Sequence, residues 1–195
     1  MKIYTKSGDK GTSQLYNGER RNKTDDVFEA LGSVDELSSC IGMANEYCQL
    51  AGNGMEERLF EIQCVLIEIG SNIATPRISS ADAEYKLTKT AFEDAHVATL
   101  ESWIDALDAT LPPLTHFILP SGGLAASHLH QCRSVARRAE RVVVPLVASG
   151  EVDAGVGRYL NRVSDFFFVA ARSAAKHEGR VERVFVAKRV VERSL

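Results

Sequence analysis

Three arginines, Arg133, Arg137 and Arg141, recur at four-residue spacing in the segment HLHQCRSVARRAERVVV. On a helix they project from one face. Glu140 lies three residues beyond Arg137 and shares that region, whereas Arg138 points away from the stripe. Each like-charge i,i+4 pair costs a helix about 0.2–0.5 kcal/mol, so the cluster calls for an anion or carboxylates facing it. Guanidinium forks suit phosphate oxygens. A solvated basic face paired to acids on neighbouring helices is the alternative. The opposite face (Leu129, Val135, Ala136, Ala139, Val142 and Val143) is apolar and reads as core.

A second candidate anion binder is the N-terminal stretch TKSGDKGTS, residues 5–13. Gly8 and Gly11 permit positive φ, which lets successive backbone N–H groups converge on an anion. Lys6 and Lys10 add charge, and Thr5, Ser7, Thr12 and Ser13 add hydroxyl donors. Arg20, Arg21 and Lys23 form a further cationic cluster. Neither the Walker A pattern nor G-x-G-x-x-G is present. A turn-rich arm with no ligand is the alternative reading.

Other groups resemble chemistry without the spacing for it. His128, His130 and Cys132 sit at i,i+2 intervals, roughly 200° apart on a helix, so they cannot share one ion. Glu93 and His96 match E-x-x-H, but a di-iron bundle needs two such motifs and two more carboxylates. Ser121 is not in a G-x-S-x-G elbow. Asp35 and Glu36, in GSVDELSS, lie at the edge of a packed face; Asp35 fits a solvated acid, a packing partner or a carboxylate orienting an arginine. Asn161 and Asp165 share a helix face, beside the aromatics Phe166, Phe167 and Phe168.

Five stretches have the helical period that would position these groups: about 25–47, 55–73, 92–107, 124–147 and 154–177. The first repeats apolar residues at Val27, Leu31, Val34, Leu37, Ile41 and Ala44. Residues 74–90 read as a mobile loop. Residues 111–123, LPPLTHFILPSGG, hold three of the five prolines and cannot be one helix. Residues 181–191 read as a short strand or an irregular tail. Long helices with short connections imply an all-α, antiparallel five-helix bundle. The expected organisation is one domain over 1–195: an N-terminal loop (1–24), the bundle (25–179) and a tail (180–195).

The bulk properties fit a soluble globular protein that needs no disulfide to build its core. A net charge of −3 argues against a nucleic-acid coat, so any anion site must come from local clustering. The four scattered cysteines read as reduced packing residues. No apolar run approaches the ~18 residues of a membrane span.

Taken jointly, IYTKSGDKGTS, FEALGSVDELSSCIG, FILPSGG, LHQCRSVARRAER and YLNRVSDFFFVAAR resemble the PduO-type ATP:cob(I)alamin adenosyltransferases, in order and over nearly the whole chain. GERRNK, LPPLTHFILPSGG and RRAERVVVPL look most like the animal mitochondrial members. The resemblance implies a five-helix-bundle homotrimer with active sites between subunits. It implies that Thr5, Lys6, Ser7, Gly8, Ser13 and Lys23 of one subunit hold ATP with Arg137, Arg138, Glu140, Arg141 and Asn161 of the next. Mg²⁺ would accompany the triphosphate. Asp35 and Arg133 match a pair placed across the interface near the cobalamin, and Phe117 matches the aromatic under the corrin. Ser7 stands where many members have Thr or Asn.

The implied reaction needs no protein nucleophile: Co(I) attacks the 5′ carbon of ATP and triphosphate leaves intact. A reductant for cob(II)alamin and a cobalamin-dependent mutase are the implied partners, with no nucleic acid and no membrane. The implied location is the mitochondrial matrix, or the cytoplasm for a bacterial protein. Two rivals are a di-metal bundle oxidase and a non-catalytic helical module that binds a nucleotide or a partner.

Overall fold

The computed structural model describes Tyr4, residues 6–80 and residues 83–187. Helix α1, Asp26–Ala51, starts where Asp25 caps it: its carboxylate accepts a hydrogen bond from Val27 N at 3.0 Å. It ends at Gly52, whose left-handed φ of 61° lets its N–H reach the last carbonyls. Val27, Ala30, Val34, Leu37, Ile41, Ala44 and Cys48 form its buried stripe. Helices α2 (Glu56–Ile73), α4 (Ala95–Asp108), α5 (Leu124–Ala148) and α6 (Ala154–His177) follow the remaining periodic stretches. Pro145 is accommodated inside the last turns of α5.

The described residues hold six helices rather than five. The sixth, α3, is a single short stretch, Glu84–Lys89, with no buried residue. Residues 74–90 are therefore not a plain loop, and the segment is tied down by polar groups. Arg77 donates to both carboxylate oxygens of Asp153 (3.0 and 2.9 Å) and to Thr90 O (2.7 Å). The fully buried Asn72 donates to the same two residues, at 2.7 and 2.8 Å. Burial works to raise the Asp153 pKa, but hydrogen bonds from Phe92 N, Arg77 and Asn72 outweigh it and hold the carboxyl below its ordinary value.

Residue pairs fix the order and direction of the long helices. Ser38 meets Gln63 and Leu31 meets Gly70, so α1 and α2 are antiparallel. Cys40 meets Cys132 and Tyr47 stacks on His128, so α1 and α5 are antiparallel. Asn161 meets Glu140 and Phe168 meets His130, which makes α5 and α6 antiparallel as well. Helix α4 departs from the expected pattern. His96 contacts Tyr159 and Trp103 contacts Phe166, so α4 runs parallel to α6. The short-loop rule fails there because α4 packs on α6 and not on its successor α5; residues 109–123 must cross the end of the bundle.

Two small sheets complete the fold. In the N-terminal hairpin, β1 (Thr12–Gln14) pairs with β2 (Arg20–Asn22). At the bundle end, β3 (Ile118–Leu119) pairs antiparallel with β4 (Arg183–Val184), which brings residues far apart in sequence into register, as with Ile118 and Val184. Tyr159, Phe166 and Phe167 are the largest side chains of a core shared by all the long helices. Among the described residues no helix is long and apolar enough to cross a membrane.

Candidate active site

The glycine loop folds back on its own hairpin. Gly11 N–H reaches Gly8 O at 3.2 Å, and Lys23 N–H reaches Gly11 O at 2.9 Å. Gly11 has φ 76° and Lys6 has φ 58°, the latter a conformation that L residues rarely take. Arg20 donates to Ser7 O (3.0 Å) and Thr12 Oγ1 (2.8 Å). A Cβ on Gly8 would lie 3.1 Å from Lys23 Nζ, so Gly8 lets that ammonium lie close against the loop backbone. Lys6, Gly8 and Lys23 are thus gathered on one loop, and Ser13 sits in β1 opposite Arg21. Thr5 lies outside the described residues.

The hairpin is held by the third basic residue, which is not free for a ligand. Arg21 pairs with Glu19 (2.9 Å), Asp25 (3.5 Å) and Glu151 (3.6 Å). Its hydrogen bond, with that of Ser79, draws the Glu19 carboxyl down to about 2. The cluster of Arg20, Arg21 and Lys23 read from the sequence therefore divides. Arg21 is structural, while Arg20 and Lys23 face the loop.

Helix α5 carries the arginine stripe, and its members differ in surroundings. Arg138 pairs with Glu36 on α1. Arg141 donates to Arg137 O at 3.0 Å. Glu140 accepts from Asn161 Nδ2 at 2.8 Å, which joins α5 to α6. The Arg137 side chain is exposed and has no ion-pair partner among the described residues. Arg133 Nε is buried without a partner. One turn before it, the His130 pKa falls to about 4, first through burial and then through the Arg133 charge, so this imidazole is neutral at pH 7. A basic face neutralised by neighbouring acids accounts for Arg138 alone.

Asp35 opens onto an apolar groove of about 330 Å³ between α1 and α2, lined by Tyr16, Leu31, Val34, Leu66 and Gly70. Arg133 lies on α5, which packs on a different face of α1. The structure does not join Asp35 to Arg133 within one chain. Nor does any hydrogen bond or ion pair link Lys6, Gly8, Ser13 or Lys23 to the stripe among the described residues. Phe117, on the crossing segment, is 84% exposed, so packing in the chain does not account for it. Its carbonyl accepts from Phe185 N at 2.7 Å.

The imitative motifs disperse. His128 stacks on Tyr47, His130 is buried, and Cys132 points at Cys40, with the sulfurs 3.3 Å apart. His96 meets Glu68 at 3.0 Å rather than a metal cluster. Among the described residues no group of three or more His, Cys, Asp or Glu is arranged to hold an ion.

This is a helical bundle with a glycine-rich basic loop, an arginine-bearing helix whose Arg137 has no ion-pair partner among the described residues, and an exposed aromatic. Its relatives agree with that class. The family model described as cobalamin adenosyltransferase matches residues 3–174, and the chain belongs to that family. It is 54% identical over 184 residues to the corrinoid adenosyltransferase MMAB of Mus musculus, covering 94% of this chain and 77% of that one. It is 44% identical over 183 residues to the corrinoid adenosyltransferase of Bacillus subtilis (strain 168), covering 92% and 89%. A PduO-type ATP:corrinoid adenosyltransferase from Lactobacillus reuteri, solved as a phenylalanine-to-alanine variant complexed with cobalamin and ATP, superposes with a TM-score of 0.86 at 35% identity, covering 94% of this chain and 99% of that one.

Proposed function

We propose that this enzyme transfers the 5′-deoxyadenosyl group of ATP to cob(I)alamin through a site built from two subunits. The electron pair of Co(I) forms the cobalt–carbon bond. The bond from C5′ to oxygen breaks, and its electrons leave on triphosphate. The observation that supports it is that, among the described residues, no hydrogen bond or ion pair joins the basic loop to the arginine stripe, while Lys6, Lys23 and Arg137 have no ion-pair partner. Lys6, Ser7, Gly8, Ser13 and Lys23, with Thr5, form one half. Arg137, Arg138, Glu140, Arg141 and Asn161 form the other. A homotrimer would place the halves face to face.

The protein's contribution is positioning and charge stabilisation rather than covalent chemistry. Arg137 and Arg141 would neutralise charge growing on the departing triphosphate. Glu140, held by Asn161, would keep the stripe in register. Mg²⁺ fits this site as a companion of the triphosphate oxygens, which it would screen; the described residues offer it no cluster of their own. Asp35 would meet the guanidinium of Arg133 of a neighbouring subunit. Phe117 would cover the lower face of the corrin and exclude water and the lower ligand, which makes cob(II)alamin easier to reduce.

Incubating the protein with ATP and chemically reduced cobalamin tests the activity. The light-sensitive adenosyl–cobalt spectrum should grow, with free triphosphate as co-product. A protein that binds ATP but yields no such spectrum would be a nucleotide-binding module instead.

A further inference from the structure

Arg172 is a buried charge with no place in the site described so far. Its side chain is 4% exposed, on a stretch of α6 whose other buried residues are Val169, Ala170, Ala171, Ala174 and Ala175. Burying a guanidinium costs several kcal/mol unless it is well paired, and an apolar residue serves bundle stability as well or better. What Arg172 touches suggests why it is there. Its Nη2 donates to Pro112 O at 2.8 Å, and its Nε faces Glu182 Oε1 at 3.4 Å. One side chain thereby grips both the crossing segment and the C-terminal segment.

Those two segments hold each other around Phe117. β3 and β4 pair over only two residues each. Phe185 N–H then donates to Phe117 O, and Arg183 N–H donates to Ser121 Oγ at 2.9 Å. Ser121 Oγ in turn donates to Leu119 O at 2.7 Å. Lys176, one turn after Arg172, donates to Thr110 O at 2.5 Å. Leu114, Phe117, Leu119, Val184 and Phe185 are all exposed, so between Leu111, which packs on the core, and Gly122, which lies against Ala175, the stretch around Phe117 has little apolar packing to fix it. Around Phe117 their position rests on these polar ties, and Arg172 with Glu182 is the buried one.

We propose that Arg172 is a positioning residue for Phe117: acting through Pro112 O and Glu182, it sets the crossing segment and the C-terminal strand at the height where Phe117 meets the corrin. This rests on the reading of Phe117 given above. Arg172 itself touches no substrate. Its loss should leave ATP binding intact and release the aromatic.

The test uses the full-length protein, saturating ATP and cob(II)alamin, with the four-coordinate fraction read by electron paramagnetic resonance. Arg172→Met and Glu182→Ala should each lower that fraction at least about fivefold, with ATP affinity within about twofold of the parent. Phe117→Ala, run alongside, should lower it at least as far. If Phe117→Ala abolishes the signal while Glu182→Ala and a folded Arg172→Met keep the parent fraction, the clamp is overturned and the role of Phe117 stands. If Phe117→Ala keeps the parent fraction, the role of Phe117 fails and the clamp fails with it. A loss of signal matched by an equal loss of ATP affinity would make Arg172 a general folding residue and overturn the proposal. Should Arg172→Met not fold, Glu182→Ala decides, because Glu182 lies outside the bundle core.

Discussion

Arg137 and Arg138 are neighbours in the chain and opposites in their surroundings. Arg138 pairs with Glu36, while Arg137 faces solvent with no ion-pair partner among the described residues. Their difference was legible in the sequence, because a helix turns consecutive residues about 100° apart and only Arg137 shares a face with Arg133 and Arg141. It leads to opposed outcomes for the two alanine variants. Arg137→Ala removes a charged donor from a phosphate site and should lower kcat/KM for ATP by about 10- to 100-fold, with the melting temperature unchanged. Arg138→Ala breaks an exposed ion pair and should cost about 0.2–1 kcal/mol of stability. Its effect on ATP use should be smaller than that of Arg137→Ala. Steady-state kinetics and thermal melts on both variants check this, and equal kinetic losses would remove the distinction. Arg172 was not legible in this way: a lone arginine on an apolar stretch has no spacing to mark it, and its partners lie 60 and 10 residues away in Pro112 and Glu182.

At the scale of elements, periodicity located the long helices because each buries a continuous stripe. It was silent on β3 and β4, since two-residue strands have no alternation to read. It also missed α3 and the polar ties of Arg77 and Asn72 to Asp153 and Thr90, which no apolar spacing marks. That knot has a pH dependence of definite sign. The Asp153 pKa is lowered by folding, so its contribution is present above the unfolded carboxyl value and is lost as pH falls through the folded one. Asp153→Asn should therefore cost about 1–3 kcal/mol at pH 7. The gap between parent and variant should narrow as pH drops below about 4. Chemical denaturation of both proteins from pH 7 to pH 3 measures it. A gap that widens toward acid would mean that the carboxylate is not what Arg77 and Asn72 hold.

At the scale of the whole molecule, the proposed site has two halves, and among the described residues no hydrogen bond or ion pair joins the basic loop to the arginine stripe. Spacing along the chain marked both segments as candidate anion binders but said nothing of where they meet, because helical periodicity does not place a distant loop; only the family resemblance implied that they belong to different subunits. An intersubunit site makes a prediction that a single-chain site does not. Lys23→Ala damages only the loop half, and Arg137→Ala only the helix half, so each variant alone should be nearly inactive. Co-expressed in equal amounts, they should form mixed oligomers in which some sites draw an intact loop from one variant and an intact helix from the other. In a cyclic oligomer with one loop and one helix per interface, random mixing makes about a quarter of the sites fully intact. Activity per site should recover to about a quarter of the parent value, far above either variant alone. Were loop and helix to serve the same site within one chain, every subunit would carry one lesion and mixing would restore nothing. Sizing the mixed sample by light scattering ties the recovered activity to the assembled species, and a recovery that persists in separated monomers would contradict the two-subunit site.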